Sequence, residues 1–266
     1  MNATERIRYA KEKYAAHFGI NPALFSQKEH VFIESERHFF EVLCFGGGLI
    51  VLADPLLCDW CAEFFAGKEA KTAMSGADLY VIERKMRQFG KQLQGEHVCY
   101  LHLNPGVRAR KPSGFRYELF EKGDMQRLFS LHPGFENALN YKDDVIALAA
   151  YNDDQIAALA GADDRVEGLW QIGIDTLSAY RQRGLAAYLT HELALQIENK
   201  GLQAFYTTWS ANLASTRAAL RAGFLPVWVG NSAQEDSIPK EAQSYTIENL
   251  KNQLCLSPNL YRSRRK

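Results

Sequence analysis

The chain has 266 residues, with 31 Lys+Arg against 31 Asp+Glu, so its formal net charge is zero. That balance excludes the basic surplus on which general nucleic-acid binding depends. With 47 % apolar and 23 % charged residues the composition is that of a soluble globular protein. The longest apolar run, residues 43–53, carries three glycines and is too short to span a bilayer, so no membrane partner is expected.

Residues 1–6 hold no apolar core of the signal-peptide kind. Cysteines at 44, 58, 61, 99 and 255 are odd in number and irregular in spacing, which suits reduced thiols in a cytoplasm. Cys58 and Cys61 have redox-motif spacing, but no second pair exists to complete a zinc site. They read as two half-buried thiols at the start of a helix, and no metal is expected.

Residues 3–18 read as a helix, broken by Asn21-Pro22. The β-rich runs 38–45 and 49–53 flank Gly46-Gly47-Gly48, which predicts a hairpin; a phosphate loop would need a helix after the glycines. Helices are expected near 56–67 and 78–93, then a strand at 97–103. Residues 104–114 hold two prolines, two glycines and the cations Arg108, Arg110 and Lys111, the composition of a domain boundary.

Beyond it, 115–120 predicts a strand, and 125–141 two short helices split at His132-Pro133-Gly134. Met125 and Phe129 stand at helical spacing and read as packing. Three β-rich runs follow, 145–151, 155–161 and 169–177, with Asn152-Asp153-Asp154 and Ala162-Asp163-Asp164 supplying turns for an antiparallel meander. After Gly184 the period switches to that of a helix: Leu185, Leu189, Leu193 and Ile197 share one face, and His191 falls on the polar side, expected in solvent. A strand at 204–209, a helix at 212–222 and a strand at 224–229 complete the pattern. The terminal basic run 262–266 reads as a solvated tail.

Within this order, Arg181-Gln182-Arg183-Gly184-Leu185-Ala186 fits an Arg/Gln-x-x-Gly-x-Gly/Ala loop. Asn212-Leu213-Ala214-Ser215 opens the next helix, and Gly223-Phe224 closes it. Residues 113–230 thereby resemble the GNAT acetyltransferases. Ile174-Asp175-Thr176 before the loop and Trp209-x-x-Asn212-x-x-Ser215 after it resemble a bacterial subfamily with an additional N-terminal domain. The resemblance implies an α/β protein. Its GNAT-like acyl-CoA-binding domain, a mixed, mostly antiparallel sheet flanked by helices, would span 113–266, after a smaller α/β domain at 1–112.

A loop running into a helix N-terminus offers unpaired N–H groups and the positive end of a dipole, a suitable seat for a pyrophosphate. The resemblance assigns that seat to Arg181, Gln182, Arg183, Gly184, Leu185, Ala186 and Ala187. It assigns the thioester and the pantetheine arm to Ile174, Asp175 and Thr176, and further contacts with the arm to Asn212 and Ser215. The implied activity is transfer of an acetyl or short acyl group from acetyl-CoA to an amine, on a small molecule or a peptide, by direct attack in a ternary complex. Asp175 is the carboxylate in the motif strand and the candidate base. The tyrosine that many members carry seven residues after the asparagine is Ala219 here. Carboxylates known on the flanking strands correspond to Trp170 and Thr207. Those departures leave a non-catalytic acyl-CoA sensor as the alternative, and aminoacyl transfer as a third reading that zero net charge disfavours. Trp209, on a strand, is expected in the core.

Overall fold

In the computed structural model, residues 1–107, 109–129, 134–139 and 144–235 are described. The terminal basic run and Cys255 lie outside them. The second short helix expected before 141 does not form over its described residues: 135–139 make a turn, with Ala138 N and Leu139 N both donating to the Phe135 carbonyl. Helix α1 (Ala3–Phe18) starts at a capping box, in which Asn2 and Glu5 bond each other's backbone N–H, and ends at Gly19 with φ 69°. Strands β1 (Val31–Glu34), β2 (Phe40–Cys44) and β3 (Leu49–Ala53) follow. The β2–β3 hairpin forms as expected, with Phe40 opposite Ala53 and Cys44 opposite Leu49. All five residues of β3 are buried because both its faces are covered. Leu49 and Val51 pack with Leu57 of α2 (Pro55–Phe65) and Ile82 of α3 (Gly76–Arg87), while Ile50 and Leu52 pack with Ala10 and Ala15 of α1.

The remaining elements are β4 (Lys91–Leu93), β5 (His97–His102), β6 (Arg116–Glu121), α4 (Gln126–Phe129), β7 (Asp144–Asn152), β8 (Gln155–Val166), β9 (Leu169–Thr176), α5 (Leu185–Asn199), β10 (Gln203–Trp209), α6 (Leu213–Arg221) and β11 (Phe224–Glu235). Among the described residues the strands join in one sheet ordered β1-β3-β2-β11-β5-β10-β9-β8-β7-β6, with β4 on a further stretch of β11. β7, β8 and β9 form the antiparallel meander. The sheet is mixed and mostly antiparallel, with helices on both faces.

Four local readings change. Ala162-Asp163-Asp164, expected as a turn, lies inside β8, which pairs with β9 as far as Val166 opposite Leu169, and the chain turns at Glu167-Gly168 instead. The helix expected to reach 93 stops at Arg87, because 91–93 pairs with Glu235–Ala233 instead. β1 has no counterpart in the sequence reading, and β11 runs six residues past 229 to meet β2 and β4. In each case tertiary pairing extends or creates a strand that local propensity leaves open. The boundary proposed at 112 falls between β5 and β6, yet β5 lies between β10 and β11 and pairs with both. The residues on either side of that boundary therefore contribute to one continuous sheet.

Helices on opposite faces are tied together at one end of the sheet. Glu198 of α5 accepts from both terminal guanidinium nitrogens of Arg6 on α1 and lies 2.8 Å from His102 Nδ1 at the end of β5. Arg6 also donates to Gln203 Oε1 at 3.1 Å. Burial alone would raise the Glu198 carboxyl, but the hydrogen bonds and charges of His102 and Arg6 outweigh it, and the net shift is downward. His191, expected in solvent, is buried beside this cluster: its ring is 5.3 Å from that of His102, and its Nδ1 meets the Ala222 carbonyl at 3.1 Å. The packing of α6 on α5 covers the face that helical periodicity leaves polar.

Glu198→Ala strands two basic groups in a poorly solvated site and is expected to cost about 3 kcal/mol in urea unfolding. Because the Glu198 pKa is depressed on folding, its contribution is complete above the unfolded carboxylate range. It is lost as pH falls through the lowered folded value. Unfolding curves of wild type and variant should converge in acid.

Candidate active site

β9 and β10 run parallel and pair over four positions, from Leu169 opposite Gln203 to Ile172 opposite Tyr206. Then they part. β9 continues along β8 to Thr176 opposite Ala158, and β10 continues along β5 to Trp209 opposite His97. Among the described residues, 173–176 therefore have no neighbouring strand on one side, and their backbone groups face a wedge-shaped opening in the middle of the sheet. Gln171 Nε2 donates to Thr207 Oγ1 at 2.9 Å across the base of the wedge.

Over this stretch β9 is held from another direction. Gly173 lies opposite Gly161 of β8, and a Cβ added at either would come within 1.7 Å of the Asn137 carbonyl or 1.9 Å of the Ala138 carbonyl. The two glycines let the 137–138 backbone rest directly on the sheet. Asp175 secures it: its carboxylate accepts from Asn137 N at 2.7 Å, Asn137 Nδ2 at 2.7 Å and Ala138 N at 3.0 Å. Both oxygens of the candidate base are thus engaged by fixed donors.

β9 leads into the glycine loop. Gln182 has φ 62° and Gly184 φ 85°, two left-handed residues separated by one, which turns successive N–H groups toward a common concavity. The conformation at Gln182 is a strained one for a residue with a side chain. The first helical bond of α5 runs from Tyr188 N to Gly184 O, so the N–H groups of Leu185, Ala186 and Ala187 precede the ladder. No side chain caps this end among the described residues. Leu185 is buried in the core and offers the loop only its N–H. Arg181 Nε donates to the Thr176 carbonyl at 3.2 Å, tying the loop to β9, and Arg183 lies over the Tyr180 ring. Among the described residues, Thr176 Oγ1 is buried without a hydrogen-bond partner. Ile174 packs against the α5 side of the core.

On the other arm, Asn212 caps α6, its Oδ1 accepting from Ser215 N at 3.1 Å. Ser215 Oγ lies 2.6 Å from the hydroxyl of Tyr206, the last β10 residue paired with β9. Burial raises the Tyr206 phenol despite that hydrogen bond, and the Asp175 and Tyr100 charges add to it. Tyr206 escaped the sequence reading, where it is one aromatic in a β-rich run. Ala219 is fully buried. Trp209 is 57 % exposed rather than core, because β10 outruns its cover there; its ring packs beside His97 and Gly95. Of the Cys58–Cys61 pair, expected half-buried, Cys58 is so and Cys61 is fully buried; burial, then the neighbouring Cys58, pushes the Cys61 thiol up to about 12, and burial also raises Cys58.

Among the described residues, no helix is long and apolar enough to cross a membrane, and no group of three His, Cys, Asp or Glu side chains could hold a metal ion.

A family model described as GNAT acetyltransferase matches residues 72–227, more than half the chain, and the protein belongs to that family. The match begins upstream of residue 113 and includes α3, β4 and β5. Similar solved structures include a putative GNAT-family acetyltransferase from Novosphingobium aromaticivorans, at 18 % identity over 54 % of this chain and 66 % of that one, TM-score 0.44. A GCN5-related N-acetyltransferase-like protein from Streptococcus suis matches at 17 % identity over 60 % and 69 %, TM-score 0.45. A GCN5-related N-acetyltransferase from Kribbella flavida matches at 18 % over 62 % and 65 %, TM-score 0.44. The chain spans about two thirds of the length of these structures. No curated protein matches.

Asp175→Ala should free the 137–138 segment from β9. Hydrogen exchange at the Asn137 and Ala138 amides is expected to accelerate, with a stability loss of about 1–2 kcal/mol for part-exposed charge-assisted bonds.

Proposed function

We propose that the protein transfers an acetyl or other short acyl group from CoA to an amine by direct attack in a ternary complex. The observation that carries this reading is the wedge between β9 and β10, opening beside an α5 N-terminus whose first N–H groups have no side-chain cap. CoA supplies the acyl group as an activated thioester. The N–H groups of 184–187 and the Arg183 guanidinium bind its pyrophosphate, with Gln182 shaping the concavity. Arg181 braces the loop against β9. The backbone of Ile174, Asp175 and Thr176 receives the pantetheine arm and the thioester carbonyl, where a fixed N–H stabilises developing negative charge. Asn212 and Ser215 line the opposite wall.

Proton traffic is divided between solvent and one phenol. Asp175 orients the 137–138 segment and leaves the acceptor to lose its proton to water. The Tyr206 hydroxyl, kept protonated by burial and backed by Ser215, supplies a proton toward the departing sulfur. The four described cysteines are free thiols, which supports a reducing compartment such as the cytoplasm. The buried Ala219 in place of the family tyrosine favours one second reading, an acyl-CoA sensor without turnover. A screen of amines and peptide N-termini for thiol release from acetyl-CoA separates the two, since a sensor binds CoA and no amine raises the rate.

Gly184→Glu should abolish CoA binding in calorimetry while leaving the far-ultraviolet circular dichroism unchanged, because the added carboxylate occupies the anion seat. Tyr206→Phe should lower kcat by about 10- to 100-fold at an unchanged CoA Kd, within the usual range of general-acid contributions. For the wild type, kcat/KM should rise with pH along the acceptor's own ammonium titration, without an earlier plateau from an enzyme carboxylate.

A further inference from the structure

Residues 104–114, which join β5 to β6, are fixed at both ends against the helices that flank the wedge. At the first end Asn104 N donates to the Gly223 carbonyl at 3.0 Å, just past the end of α6. Gly223, with φ 88°, comes so close that an added Cβ would stand 2.4 Å from the Asn104 carbonyl. At the second end Tyr117 OH donates to the Pro112 carbonyl at 2.8 Å, and the Tyr117 ring meets Tyr188 of α5 edge-on at 5.0 Å. Pro112 there reaches within 3.9 Å of where a Cβ on Gly184 would be. The described residues of the connector therefore form a strap from the C-terminus of α6 to the N-terminus of α5.

Beneath the strap is a cleft of about 560 Å³, lined by Arg110 of the connector, Arg183 of the loop and Arg221 of α6, with Phe115, Gly184 and Ala187. Three guanidinium groups from three separate segments border one cleft, and among the described residues no carboxylate lines it. Among the described residues none of the three arginines forms an ion pair. Like charges gathered in one concavity repel one another and favour an anion between them. Arginine forks match phosphate oxygens in particular. Arg183 and the N–H groups at Gly184 already account for a pyrophosphate. Arg110 and Arg221 exceed what two phosphates require, and Phe115 adds an aromatic wall beside them.

We propose that Arg110 and Arg221 bind the 3′-phosphate of CoA, so that the connector completes the nucleotide site and makes the protein select 3′-phosphorylated CoA over dephospho-CoA. The inference rests on the CoA reading above and adds to it a site outside the loop motif. Arg221 also suits the negative end of the α6 dipole, a role that would not discriminate between the two nucleotides.

The test is calorimetric titration of CoA and of dephospho-CoA into wild-type protein, Arg110→Ala, Arg221→Ala and the double variant. Wild type is expected to bind CoA about tenfold or more tightly than dephospho-CoA, with the preference shrinking as salt rises. The double variant should bind both nucleotides alike, its dephospho-CoA Kd staying within about twofold of wild type for want of a lost contact. Equal affinities in the wild type would overturn the proposal and leave the CoA site standing, and that comparison needs no variant. A double variant that weakens for both nucleotides equally would overturn it as well, assigning the arginines to the pyrophosphate or to the fold. Failure of the wild type to bind either nucleotide would overturn the CoA reading itself.

Discussion

A strand inside a sheet has two hydrogen-bonding edges, and between β9 and β10 those edges meet for only four residue pairs. Beyond Ile172 and Tyr206 each strand keeps its outer neighbour, β8 or β5, and loses the inner one. An unpaired edge at the margin of a sheet faces water; this one faces a wedge walled by protein on both arms, where an extended ligand can replace the missing partner. The glycine loop ends one arm and α6 begins after the other, so the parts of the candidate site are arranged by this divergence.

The divergence is maintained from both sides. β9 carries the 137–138 segment on Gly161, Gly173 and the Asp175 carboxylate, contacts that a bulkier residue at either glycine would abolish. β10 is held by β5, a strand supplied from the first half of the chain and itself backed by β11 and β2. At the opposite end of β10, the Arg6–Glu198–His102 cluster ties α1 and α5 together around the sheet. The first half of the chain thus builds part of the scaffold that keeps the wedge open.

The electrostatics are local. A formally neutral chain still places Arg110, Arg183 and Arg221 around one cleft, and sets a buried phenol, Tyr206, beside Ser215 at the wedge. Neither arrangement follows from a charge total, because both depend on side chains distant in sequence meeting across α5, α6 and the strap.

Periodicity and turn chemistry determined most of the elements: the capped helix at 3–18, the hairpin around Gly46–48, the β7–β8 turn at 153–154 and the Leu185–Ile197 helix face are local patterns whose physics needs no distant partner. The loop at Gly184 was legible for the same reason, since a strand–glycine–helix order presents free N–H groups wherever it occurs. Tertiary structure alone decided the rest. It placed β5 between β10 and β11, drew 91–93 and 230–235 into strands, buried His191 and exposed Trp209. It spent both oxygens of Asp175 on the 137–138 segment and brought Tyr206 to Ser215. Burial and pairing depend on which surface arrives from elsewhere in the chain, and a residue's own neighbours in sequence carry no record of that.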